Sequence, residues 1–134
     1  MNYQTITTEG YMGCPGYRGC NYRSWSSDRE LKTLLSQEFK NNGIKASIKR
    51  NRGGWSYSLT ITITANRSDF IAYDGYEVAV NQYRDHDKRF TDEFNKTLNL
   101  AYRITNSFNM DEGNSMYDYY NVGFYVSFYV KCKE

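Results

Sequence analysis

Between residues 27 and 43 the chain spaces its apolar side chains as a helix does. Leu31, Leu34, Leu35 and Phe39 form one stripe at intervals of three and four. Ser27-Asp28-Arg29-Glu30 fits a capping box, with Ser27 as N-cap and Glu30 three residues on. Asn41-Asn42-Gly43 supplies the stop, because glycine enters the left-handed conformation freely. The period then drops to two. Ile44, Ala46 and Ile48 point one way while Lys45, Ser47 and Lys49 point the other. After a turn at Asn51-Arg52-Gly53-Gly54, Tyr57, Leu59, Ile61 and Ile63 alternate with Ser58, Thr60, Thr62 and Thr64. This predicts an antiparallel hairpin covered on one side, its other side displaying Lys, Ser and Thr. That open face is a first candidate binding surface.

Helical spacing returns after Thr91, an N-cap followed by Asp92 and Glu93 in the favoured first turn. Phe94, Leu98, Ala101, Tyr102, Thr105 and Phe108 mark the apolar face of this second helix. A last strand carries Val122, Phe124, Val126, Phe128 and Val130 in one phase, and Gly123, Tyr125, Ser127 and Tyr129 in the other. Residues 66–90 carry weaker signals. Phe70, Ile71 and Tyr73 lead to a turn at Asp74-Gly75, and Glu77–Tyr83 reads as a short edge strand. The order α-β-β-(β)-α-β predicts an α+β fold: an antiparallel sheet of three to four strands with two helices packed on one face. Residues 1–26, rich in Gly and Tyr and holding Pro15, are expected to be an irregular N-terminal arm, and residues 27–134 a single domain.

A length of 134 residues suits one domain, which can bury roughly two-thirds of its surface on folding. The net charge of +2 is unevenly placed: residues 1–67 hold ten Lys/Arg against four Asp/Glu, whereas residues 68–134 hold seven against eleven. A basic half suits a polyanion or an acidic protein face, while the acidic half argues against indiscriminate coating of nucleic acid. MNYQTITTEG lacks the basic and apolar regions of a signal peptide, and no apolar run approaches a membrane span. The expectation is a cytoplasmic protein with reduced cysteines.

Chemistry-bearing motifs are few. Cys14 and Cys20 enclose five residues, wider than common zinc hairpins, and Cys132 and His86 are the remaining thiol and imidazole. No metal and no cofactor are expected. His86 sits in the hydrophilic run Asp85-His86-Asp87, with no nucleophile motif to serve, and Gly53-Gly54 joins two strands and opens no helix. These features point to a binding protein and away from an enzyme.

Three groups are candidates for partner contact. In the arm, Tyr11, Tyr17, Arg18, Tyr22, Arg23 and Trp25 interleave aromatic rings with guanidinium groups. Such a segment can stack on bases and neutralise phosphates, dock in a protein groove, or fold back over Thr60 and Thr62. Lys45, Lys49, Arg50 and Arg52 gather on one strand face and its turn as a phosphate footprint or a solvated edge. Asp111, Glu112, Met116, Tyr117 and Tyr119 belong to an acidic, aromatic loop suited to a basic protein surface.

The run Glu30–Phe39 with Lys45-Ala46-Ser47-Ile48, the strand Ser58–Ile63, and Asn114–Tyr125 (NSMYDYYNVGFY) together resemble large polyvalent protein-associated domain 29, a family of phage and mobile-element proteins. Phe39 and Ser47 fall in place and Asp118-Tyr119-Tyr120 stands for its DYF motif, although the proline that follows the phenylalanine in the family is absent. The likeness covers roughly residues 28–130. It implies no catalytic residues. It implies an anti-defence protein of anti-CRISPR type that binds a host protein complex, such as a CRISPR effector nuclease, stoichiometrically, with a nucleic-acid-binding accessory domain as the alternative.

Overall fold

The computed structural model describes residues 2–23, 25, 28–51, 58–113 and 122–133, with backbone only at 11 and 28. In chain order its elements are β1 (Thr5–Glu9), β2 (Pro15–Gly19), α1 (Asp28–Asn41), β3 (Ala46–Asn51), β4 (Ser58–Ala65), β5 (Val78–Val80), α2 (Asp92–Ser107), β6 (Met110–Asp111) and β7 (Tyr125–Cys132). Short 3-10 turns occupy Tyr11–Gly13 and Arg67–Asp69.

The helix ends follow from local chemistry. At the end of α1, Gly43 takes φ 70°, a conformation that side chains with a Cβ resist. The expected N-cap, Ser27, lies outside the described residues. At the start of α2, the Thr91 hydroxyl accepts a hydrogen bond from the Phe94 N–H at 3.2 Å, with Asp92 and Glu93 in the first turn.

Four strands form the main sheet in the order β3-β4-β7-β5. Every second residue of β4, namely Leu59, Ile61, Ile63 and Ala65, is buried. These side chains share one core with Leu31, Leu35 and Phe39 of α1, and with Phe94, Leu98, Ala101, Tyr102 and Ile104 of α2. Both helices therefore cover the same face, and each fully buried Leu, Ile or Phe contributes about 1.5–3 kcal/mol. The Tyr102 ring meets Phe128 of β7 edge-on at 4.9 Å. The α+β class matches the sequence reading, and β5 is the short edge strand.

One pairing departs from an all-antiparallel sheet. β4 and β7 run parallel, with Leu59 beside Val126 and Ile63 beside Val130. Parallel neighbours need a long crossover to return the chain to its starting end. The chain between them, which includes α2, makes that return.

The N-terminal leader also differs from an irregular arm. β1 and β2 form an antiparallel hairpin, Thr5 opposite Gly19 and Glu9 opposite Pro15, and β6 extends it to three strands. Gly16 and Gly19 serve close approach. A Cβ on Gly19 would sit 2.2 Å from the Ser107 carbonyl oxygen, and one on Gly16 2.5 Å from that of Asp111. Backbone bonds from Gly19 to Asn109 (2.8 Å) and from Asn21 to Ser107 (2.7 Å) fasten the hairpin to the end of α2.

Candidate functional site

The aromatic and basic residues of the leader are largely consumed by that fastening. Trp25 is buried in the common core, and its indole N–H donates to the Phe108 carbonyl at 2.9 Å. The Tyr17 hydroxyl bonds Asn106 Oδ1 at 3.3 Å, and burial pushes its pKa well up. Tyr22 is half-buried against the core. Arg18 pairs with Glu112 at 3.0 Å and lies over the Tyr22 ring. Arg23 pairs with Glu30 and lies over Trp25. Asp111 faces Tyr17 across β2 and β6. In place of an irregular arm, residues 5–9 and 15–19 are paired strands. The Tyr11 side chain, Arg52, Met116, Tyr117 and Tyr119 lie outside the described residues.

On the second face of the main sheet, Ser47, Lys49, Asn51, Tyr125, Ser127 and Lys131 are exposed. Strand register lays it out in rows. Asn51, Ser58 and Tyr125 make one row, Lys49, Thr60 and Ser127 the next, then Ser47, Thr62 and Tyr129, and Thr64 beside Lys131. Asn51 Nδ2 donates to Ser58 Oγ at 3.2 Å and to Thr60 Oγ1 at 3.0 Å, which confirms the shared face. Tyr125 is 40% exposed, whereas Tyr129 is half-buried among its neighbours. Glu77 reaches in from the β5 side, its carboxylate accepting from Thr62 Oγ1 at 3.4 Å.

The basic cluster expected on β3 is divided. Strand parity sends Lys49 to the open face and Arg50, in phase with the buried Ile48, to the helix face. Lys45 lies apart, in a hollow of about 270 Å³ that also contains Asp69, Glu93 and Lys133. Arg50 instead joins Arg29, Lys32 and Lys40 of α1. With Thr33, Ser36 and Gln37 these four cations line a groove of about 420 Å³, and none of the described residues in its wall is a carboxylate. Helical spacing explains the gathering, since positions 29, 32, 33, 36, 37 and 40 fall on one side of α1. The two acids of α1 with described side chains are engaged elsewhere: Glu30 with Arg23, and the buried Glu38 with the Tyr3 hydroxyl at 2.7 Å. Lys32 and Arg50 also line a second hollow with Ile48, Lys49 and Asn51. The basic surface thus turns around the β3 edge and reaches the open sheet face.

Sequence reading misses Arg29, Lys32 and Lys40 as site residues because a charged outer helix face is the ordinary state of a solvated helix. It puts Tyr125 and Tyr129 in the correct phase without giving them a role. The cysteines are free. Cys14 and Cys20 flank the extended strand β2, so six residue steps of about 3.3 Å hold them roughly 20 Å apart. No shared metal or direct disulfide is compatible with that span. His86 Nε2 lies 3.0 Å from Asp92 Oδ1, a partnership that no sequence pattern signals, and both side chains are exposed. Among the described residues no group of three or more His, Cys, Asp or Glu is placed to hold a metal ion, and no helix is long and apolar enough to cross a membrane. Compared with protein-family models, curated proteins and solved structures, the chain matches none.

Proposed function

We propose that this domain is a non-enzymatic binding module that grips nucleic acid along the α1–β3 groove. The observation that carries the reading is the groove wall, where Arg29, Lys32 and Lys40 converge beside Arg50 with no carboxylate among the described lining residues. A face kept basic only for solubility would mix signs. Guanidinium and ammonium groups bind phosphate oxygens with charge-assisted bonds, and the Ser36 hydroxyl and the second amide N–H of Gln37 add neutral donors. The groove is open, which suits a backbone lying along it better than an enclosed small ligand. Binding would release counterions from the polyanion, giving affinity that falls with salt.

The test is fluorescence anisotropy of a labelled oligonucleotide with the wild type and with the double variant Lys32→Ala, Lys40→Ala. The variant is expected to bind several-fold more weakly, with its salt slope reduced by about one for each phosphate no longer neutralised. Equal affinity and equal slope would remove the groove from the interface.

A second reading retains the stoichiometric inhibitor of a host nuclease complex, acting in the bacterial cytoplasm, that the family resemblance implies. It is favoured by Ile71, Tyr76 and Tyr83, which are 66%, 74% and 80% exposed in the segment between β4 and α2. Large exposed aromatic side chains are the commonest anchors of protein interfaces. Capture of such a complex from host lysate, weakened by Tyr76→Ala with Tyr83→Ala, is its expected outcome. Capture unaffected by both changes would take these residues out of the contact.

A further inference from the structure

We infer that the open face of the main sheet is a stacking platform for single-stranded nucleic acid, with Tyr125 and Tyr129 each taking one base. The inference rests on the phosphate-binding reading of the groove and deepens it by naming the form of nucleic acid. Three observations carry it. First, the face displays tyrosines at positions 125 and 129 of one central strand, whereas the described leader strands pair with β6 and bond to the end of α2. Four residue steps separate them by about 13 Å, so the two rings serve different bases. Second, the floor between and beside them is Ser58, Thr60, Thr62 and Ser127, hydroxyl groups that can donate to or accept from base edges and sugar oxygens. Third, charge is complementary: Lys49 stands in the row between the two tyrosine rows, Lys131 in the row beyond, and the hollow around Lys49 continues into the four-cation groove. A strand whose phosphates follow the groove can therefore turn its bases onto the sheet. Bases in a duplex are already stacked and paired, so a flat aromatic face selects strands whose bases are free.

Glu77 gives the inference a sign of its own. Its carboxylate reaches Thr62 in the Tyr129 row and is the acid hydrogen-bonded to this face among the described residues. It repels a polyanion there, so removing it strengthens binding.

The deciding experiment titrates fluorescein-labelled oligo(dT) and a duplex of matched length with the wild type, Tyr125→Ala, Tyr129→Ala, both tyrosines changed to Phe, and Glu77→Gln. Circular dichroism melting identifies any variant that fails to fold. Each alanine change is expected to weaken oligo(dT) binding about tenfold and leave duplex affinity unchanged, because stacking on an aromatic ring contributes on that scale. The phenylalanine variant should retain single-strand binding, and Glu77→Gln should strengthen it about twofold or more. The proposal falls if folded alanine variants bind oligo(dT) like the wild type while the Lys32 and Lys40 changes still weaken it, an outcome that leaves the groove reading standing. It also falls if duplex and single strand lose affinity equally, or if the tyrosine changes instead dissociate a dimer of the chain without altering oligo(dT) affinity. Absence of any nucleic-acid binding by the wild type overturns both readings together.

Discussion

Asn109 and Phe124 hydrogen-bond in both directions: Asn109 Nδ2 donates to the Phe124 carbonyl at 2.9 Å, and Asn109 Oδ1 accepts from the Phe124 N–H at 2.9 Å. The same oxygen accepts from the Met110 N–H at 2.8 Å, and the Asn109 carbonyl accepts from Gly19 of the leader hairpin. One buried amide thus ties the end of α2, the entry to β7 and the three-stranded sheet. Asn109→Ala leaves two buried N–H groups and a carbonyl without these partners, each costing about 1–3 kcal/mol unless water enters. We expect a loss of about 3 kcal/mol or more in urea melts. Asn109→Asp restores the acceptor but not the donor and should also destabilise. A change below about 0.5 kcal/mol for Asn109→Ala would mean that the joint is held by other contacts.

Trp25 separates a structural leader from a docking arm. Its ring packs in the core and its indole N–H reaches the Phe108 carbonyl. Trp25→Ala should cost about 3–5 kcal/mol, while Trp25→Phe should cost less by keeping much of the packing and losing the bond. Chemical denaturation decides the matter. Full stability in Trp25→Ala, with weakened partner capture, would restore the arm as an interface.

Alkaline pH should expose the buried tyrosines. Burial, reinforced by the Asp87 carboxylate, pushes the Tyr102 pKa up from 10.0 to about 12 in the folded chain. The folded state then holds this proton more tightly than the unfolded state. The stability it contributes is complete below pH 10 and is lost as pH rises from 10 towards 12. The melting temperature should decline across that window, and less steeply in Tyr102→Phe, with phenolate absorbance rising at unfolding. Identical profiles in the two proteins would show that Tyr102 titrates normally.

How far the sequence could be read follows from which forces leave periodic traces. α1, α2, β3, β4 and β7 each bury one side, so Leu31/Leu35, Leu59/Ile61/Ile63 and Phe128/Val130 betray period and phase. β1 leaves no such trace, because Thr5, Ile6, Thr7 and Glu9 are all exposed and pairing alone holds the strand. β2 is disguised by glycines that allow backbone contact. Periodicity also states which face is buried and not which strand is adjacent, so the parallel β4–β7 pair leaves no mark in the pattern. In the site, neighbouring Lys49 and Arg50 on a strand must point to opposite faces, a parity legible in the sequence that divides the basic cluster expected there. The meeting of Arg50 with Arg29, Lys32 and Lys40 requires the packing angle of α1 on the sheet, which no local pattern encodes.

The most direct test of nucleic-acid binding is the dependence of wild-type oligo(dT) affinity on salt. With Arg29, Lys32 and Lys40 of the groove each neutralising one phosphate, log K should fall linearly with log salt at a slope near −2 for a single strand. A slope near zero, or no binding with protein at micromolar concentration, would contradict it.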